Sequence, residues 1–191
     1  MSSFLPTGYD VPSSSDKYYK LAKGENRFRI MSSPIMGYVY WVGDGQNRKP
    51  VRVKIGINIE VSQLEADPRT GETALPKHFW AMIVYDYVSE KAKILEITQK
   101  GIQKSLTALA KDKDWGSPVG TDGYDIVITR EGEGFDTEYQ IQPKPRKKLE
   151  DGVEQYVKDM KINLEALYTG DDPFSSTKKV EDIEIPEDFG K

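Results

Sequence analysis

The residue types in this chain best suited to chemistry are aromatic rings set among cations. Lys17-Tyr18-Tyr19-Lys20, Arg27-Phe28-Arg29, Tyr38, Tyr40-Trp41, Arg48-Lys49, Arg52, Lys54, Lys77-His78-Phe79-Trp80, Tyr85 and Tyr87 follow one another through the first half of the sequence. A ring face accepts any nucleobase, at about 1 to 3 kcal/mol per stacked base, while Lys and Arg neutralise phosphates. The chemistry implied is capture of a single nucleic-acid strand with little sequence preference. The same rings have two other uses. Strands bury many of their aromatics as packing, and Tyr and Trp also populate interfaces between proteins, so an interaction or structural module stands as the alternative.

Other chemistries find less support. With no cysteine and one histidine, His78, there is no disulfide, no thiolate nucleophile and no Cys-containing metal site. His78 has no second histidine for a relay, and a hydrogen-bonding role at a strand start is expected of it. No Gly-x-Ser-x-Gly elbow and no phosphate-binding loop occurs, and Gly132 and Gly134 read as a hairpin turn. A Mg²⁺-dependent nuclease would need Asp86, Glu96 and Asp125 to converge, helped by Lys91 and Lys93. Among 31 acids, accidental groupings of this kind are common. No catalytic residue, metal or cofactor is expected.

The elements that must position these rings are mostly strands. Arg27–Ile30 alternates, Ile35–Val42 is aromatic and β-branched, and Val51–Ile55 follows the turn Gly43-Asp44-Gly45-Gln46-Asn47. Lys77–Tyr87, Lys91–Ile97, Tyr124–Arg130 and Thr137–Gln142 read the same way. One internal helix, capped by Thr98 and ending near Asp114, places Ile102, Leu106 and Leu109 on one face. Val153, Tyr156, Val157, Met160, Leu164 and Leu167 predict a second helix over about 148–168.

An inventory of about six strands with one helix inserted predicts a mainly β fold, a small oligonucleotide-binding barrel with an inserted and a C-terminal helix. The expected divisions are a flexible arm over 1–23, the strand-binding domain over 24–145, the C-terminal helix over 146–170 and an acidic flexible tail over 171–191. Alternation puts Tyr38 and Tyr40 on one face of their strand and Arg52 and Lys54 opposite Val51, Val53 and Ile55; the even-numbered set is assigned to the ligand side. Tyr85 and Tyr87 share a face with Phe79, opposite Trp80, and the pattern leaves open which side is wet. The groove candidates are Arg29, Tyr38, Tyr40, Arg52, Lys54, Lys77, Phe79, Trp80, Tyr85 and Tyr87.

The net charge of −4 alone argues against nucleic acid, but its distribution reverses that reading. Asp171 to Lys191 holds seven acids against three lysines, which accounts for the whole deficit and leaves residues 1–170 neutral. Ile183, Ile185, Asp188 and Phe189 make this end more apolar than solubility requires, suiting it to dock on a basic groove of a partner protein or to compete with nucleic acid for its own. No apolar leader or run of 18 apolar residues occurs, so neither a signal peptide nor a membrane span is expected.

Lys77-His78-Phe79-Trp80-Ala81-Met82-Ile83-Val84-Tyr85-Asp86-Tyr87, Lys93-Ile94-Leu95-Glu96-Ile97-Thr98-Gln99-Lys100-Gly101-Ile102-Gln103-Lys104 and Tyr124-Asp125-Ile126-Val127-Ile128-Thr129-Arg130-Glu131-Gly132-Glu133-Gly134 carry a resemblance. Over roughly residues 25–145 the chain resembles bacteriophage single-stranded DNA-binding proteins related to the T4-type helix-destabilising protein. The resemblance implies a barrel that coats exposed strands during phage DNA replication, recombination or repair in the cytoplasm of the infected bacterial host. It also implies an acidic tail that meets replication or recombination proteins. The zinc-binding insertion of the T4-type protein needs cysteines, which this chain lacks. Cooperative self-association through the N-terminal arm stays open, because the arm carries no dense basic motif beyond Lys17, Lys20 and Lys23.

Overall fold

Phe79-Trp80-Ala81-Met82-Ile83-Val84-Tyr85 is apolar without a break, the signature of a strand buried on both faces rather than one. In the computed structural model, which describes residues 14–43, 47–67 and 70–175, this run lies in the longest strand. The described elements follow in the order β1 (Gly24–Ile30), β2 (Ile35–Val42), β3 (Lys49–Lys54), β4 (Lys77–Asp86), β5 (Lys91–Ile97), α1 (Lys100–Lys111), β6 (Asp125–Glu131), β7 (Glu138–Pro143), α2 (Val153–Asp159) and α3 (Ala166–Thr169).

β4 is the spine of one antiparallel sheet. β5 pairs along one of its edges, and its other edge is shared: β2 takes Lys77 to Ala81, and β1 takes Val84 to Asp86. Where the chain bends between β1 and β2, Met31 N–H donates to the Ile83 carbonyl at 2.8 Å and Ile83 N–H to Ser32 Oγ at 2.9 Å, so the ladder stays closed through the bend. From this division two wings spread, β2–β3 on one side and β1–β6–β7 on the other.

Among the described residues the two wings share no strand pairing. The sheet order β3-β2-β4-β1-β6-β7, with β5 beside β4, leaves β3 and β7 at separate ends. The expected oligonucleotide-binding barrel is therefore corrected: the fold is mixed α/β, with a large antiparallel sheet that does not close. It departs there from the barrel that the T4-type resemblance implies. The physical reason is the double-sided burial of β4. Met82 and Val84 pack with Phe28, Leu95, Ile126, Ile128 and the α1 residues Ile102 and Leu106, while Phe79 and Ala81 pack on the opposite face with Val39, Ile94, Leu164 and Leu167. Helices cover both faces, so burial does not require the sheet to curl onto itself.

The helices differ in detail from their expected bounds. α1 starts after Gln99, and Thr98 is not its cap: the Thr98 N–H donates to Gln99 Oε1 at 3.1 Å. The expected helix over 148–168 is two short ones. Gly152 enters α2 at φ 91°, which glycine adopts without strain, and Lys161 at φ 45° interrupts the chain beyond it. The two pieces serve different parts of one face, Val157 of α2 packing with Tyr85 and Ala92, and Leu167 of α3 with Val39 and Phe79. Among the described residues no helix is long and apolar enough to cross a membrane.

Candidate nucleic-acid interface

Strand register decides which rings and cations share a surface. Across β2 and β3, Tyr38 lies opposite Val53 and Tyr40 opposite Val51, whereas Arg52 lies opposite Val39 and Lys54 opposite Gly37. Even positions of β2 therefore share a face with odd positions of β3, and the even-numbered set divides between the two faces. Arg52 and Lys54 sit on the α3 side. There the Arg52 Nε donates to Glu96 Oε2 at 2.7 Å, and the Lys54 Nζ reaches Glu165 at 2.6 Å and stands over the Tyr168 ring.

Several other groove candidates are built into the interior. Phe79 is fully buried, 6.1 Å from the Tyr168 ring, and Tyr40 and Tyr85 are buried as well. Arg29 is also buried. Its Nε donates to Asp125 Oδ1 at 2.7 Å, and its other nitrogens donate to the carbonyls of Gly120, Thr121 and Lys147, so it clamps two loops to β1. Tyr87 donates its hydroxyl to the same Asp125 oxygen at 2.8 Å, beneath the Arg27 guanidinium. Burial pushes the Tyr87 phenol up to about 12, reinforced by its hydrogen bond to the Asp125 carboxylate.

The residues that do gather at a surface lie on the α1 face, where that helix stops short of the β2–β3 wing. Met36 pairs with Trp80 and Tyr38 with His78 across β2 and β4. Met36 and Tyr38 are exposed, and His78 and Trp80 half-buried. The Trp80 Nε1 donates to His78 Nε2 at 3.1 Å, and the Tyr38 and His78 rings lie 5.5 Å apart. Beside them runs the flank of α1. A cleft of about 430 Å³ lies between His78 and Lys100, Gln103, Lys104, Thr107 and Ala108. A second, of about 330 Å³ and mostly apolar, shares Thr107 and includes Pro34, Met36, Trp80 and Lys111. Lys100, Lys104 and Lys111 have no ion pair with a described residue.

Of the groove candidates, then, Trp80 lines an accessible cleft, and Tyr38 is exposed with its ring 5.5 Å from that of His78, which lines the other. Lys77 is exposed at the start of β4 but on the opposite face, opposite Val39. Sequence reasoning passed over Met36, His78, Lys100 and Lys104 as site residues. The signal was present in part: the lysines recur at i, i+4 on α1, and His78 precedes Trp80 by two, the spacing of one strand face. A further exposed ring, Trp41, lies under the Arg48 guanidinium, which is itself tied to Glu65 at 3.1 Å. Ile183, Ile185, Asp188 and Phe189 lie outside the described residues.

The arrangement offers ring faces and exposed cations, and among the described residues no carboxylate lines either part of the cleft. The three carboxylates of the nuclease reading do not converge: Asp86 is held by Lys93 at 3.0 Å, Glu96 by Arg52 and Asp125 by Arg29, each in its own ion pair. Lys91 and Lys93 both reach Asp16. Among the described residues no group of three or more His, Asp or Glu side chains could hold a metal ion.

No family model matches the chain, and no solved structure matches it. A curated protein does: over 204 aligned residues the chain is 28% identical to the "Probable ssDNA-binding protein" of Escherichia phage T5, the alignment covering 93% of this chain and 78% of that protein. The chain is a distant, near full-length relative of a phage protein so named.

Proposed function

We propose that this protein binds single-stranded DNA with little sequence preference in the cleft beside α1, and coats strands exposed during phage DNA replication, recombination or repair in the infected host's cytoplasm. The observation that carries the reading is the ring cluster of Tyr38, His78 and Trp80, whose central member, His78, lines a cleft with Lys100 and Lys104. Rings take bases and lysines take phosphates. The named phage T5 relative supports the same reading. Kinship with the T4-type proteins, without their zinc insertion, belongs to this proposal and rests on the motif residues. So does the division into an arm, a strand-binding region over 24–145 and a tail whose Ile183, Ile185, Asp188 and Phe189 meet replication or recombination proteins.

The test is titration with a fluorescent oligothymidine at two salt concentrations. Binding that weakens as salt rises is expected. Absence of binding, or binding indifferent to salt, overturns the reading and favours a protein partner for the aromatic face.

A further inference from the structure

His78 is the chain's one histidine, and its two ring nitrogens face different partners. Nδ1 lies 2.9 Å from the Gly37 carbonyl oxygen, which can only accept. Nε2 lies 3.1 Å from the Trp80 indole N–H, which can only donate. One state satisfies both contacts: a neutral imidazole with its proton on Nδ1 and its lone pair on Nε2. The same ring lies 5.5 Å from that of Tyr38, inclined at 58°. The His78 carbonyl also accepts from the buried Gln103 Nε2 at 3.2 Å, so the residue is tied to α1 through its backbone.

Resting on the strand-binding reading of this cleft, we infer that His78 is its positioning residue, holding the Trp80 indole and the Tyr38 ring where they receive bases, and that a second proton on its ring releases them. Protonated Nε2 would set one N–H against another, and the indole must then turn away. Among the described residues the charged groups facing the imidazole are Lys100 and Lys104 of α1; β2 contributes the Tyr38 phenol. Lys77 precedes it on β4 but lies on the opposite face, and among the described residues no carboxylate lines the cleft to hold the cationic ring in place. Release of the platform therefore opposes the added positive charge, and the direction of the pH effect separates the two.

The full chain tests this in two ways. In an ¹⁵N NMR experiment the single imidazole is unambiguous: a proton on Nδ1 alone at pH 8, and a Trp80 indole signal that moves as the imidazole titrates, are expected. A proton on Nε2 at pH 8, or an indole signal indifferent to that titration, overturns the ring geometry and the inference with it. The second readout is oligothymidine affinity at fixed salt, at pH 8 and pH 5.5. His78→Gln keeps an acceptor for Trp80 and does not titrate. Between pH 8 and pH 5.5, wild type is expected to lose about tenfold in affinity relative to that variant, the scale of one stacked base. His78→Phe, a ring without an acceptor, is expected to bind several-fold more weakly than wild type at pH 8. A shared pH profile for wild type and His78→Gln, or wild-type affinity in His78→Phe, overturns the positioning role. Failure of every form to bind DNA overturns the reading of the cleft itself, while the NMR arm still decides the ring geometry.

Discussion

Arg29 and Asp125 meet at 2.7 Å with side chains only 1% and 3% exposed, so the pair joins β1 to β6 inside the protein. Arg27 and Tyr87 complete the ring of donors around the carboxylate. Asp125→Asn leaves the Arg29 guanidinium buried without its counter-charge, and urea unfolding at pH 7 is expected to show a loss of about 3 to 5 kcal/mol. Burial alone would raise the Asp125 carboxyl, but hydrogen bonds from Arg27, Tyr87 and Arg29 outweigh it and hold the group below the ordinary carboxylate range. The stabilisation is thus present above the unfolded carboxylate value, about 3.9, and is lost as pH falls through the lower folded value. Wild type should lose stability more steeply than Asp125→Asn across that acid range.

The alkaline side reports the same cluster through Tyr87, whose phenol titrates near 12 in the fold. A raised value favours the neutral phenol, so this contribution is full below the unfolded tyrosine value, about 10, and fades as pH rises through 12. Absorbance titration at 295 nm should show one fewer late-titrating tyrosine in Tyr87→Phe than in wild type.

Gly37 has no room for a side chain. A Cβ there would lie 2.0 Å from the Val53 carbonyl oxygen and 3.0 Å from the Phe79 ring, so Gly37→Ala must part β2 from β3. A loss of about 1 to 3 kcal/mol, the scale of an overpacked site, is expected in thermal or urea unfolding.

Phe79 and Tyr38 occur in the same aromatic pattern but should respond oppositely to truncation. Phe79→Ala removes a fully buried ring and should cost about 3 to 5 kcal/mol of stability, leaving the affinity of the folded fraction near wild type. Tyr38→Ala removes an exposed ring and should change stability little while weakening oligothymidine binding by about 1 to 3 kcal/mol. Paired unfolding curves and titrations compare the two.

Lys100 and Lys104 should act through salt. Replacing either with Ala is expected to lower the slope of log affinity against log salt by about 0.7 for each phosphate left without its lysine, with unfolding unchanged because both side chains are exposed. Lys54→Ala, on the other face and engaged with Glu165, should leave the slope as it is.

Strand positions were largely legible in the sequence, because the β-branched and aromatic runs from Ile35 to Val42 and from Lys77 to Tyr87 leave little choice. Closure was not. The unbroken apolar run at Phe79–Tyr85 already favoured a two-sided sheet, but a strand inventory says nothing about which ends pair. The site was legible in residue type and not in face. Alternation fixes parity within a strand, while the register between β2 and β3 fixes it across strands, and one residue of slip moves Arg52 from beside Tyr38 to the far side. Burial of Arg29 was illegible for a related reason: its counter-charge, Asp125, stands 96 residues away.

β4 carries both Met82 and Val84 of the core and His78 and Trp80 of the cleft. Two of the three rings therefore stand on a strand packed on both faces, and the third, Tyr38, on its neighbour β2, rather than on a loop. A ligand settling there meets a surface whose order was established when the chain folded. On the proposed strand-binding reading, the freedom lost on docking would be mainly the ligand's own, and the intrinsic stiffness of a strand, more than its base edges, would set which sequences the cleft favours.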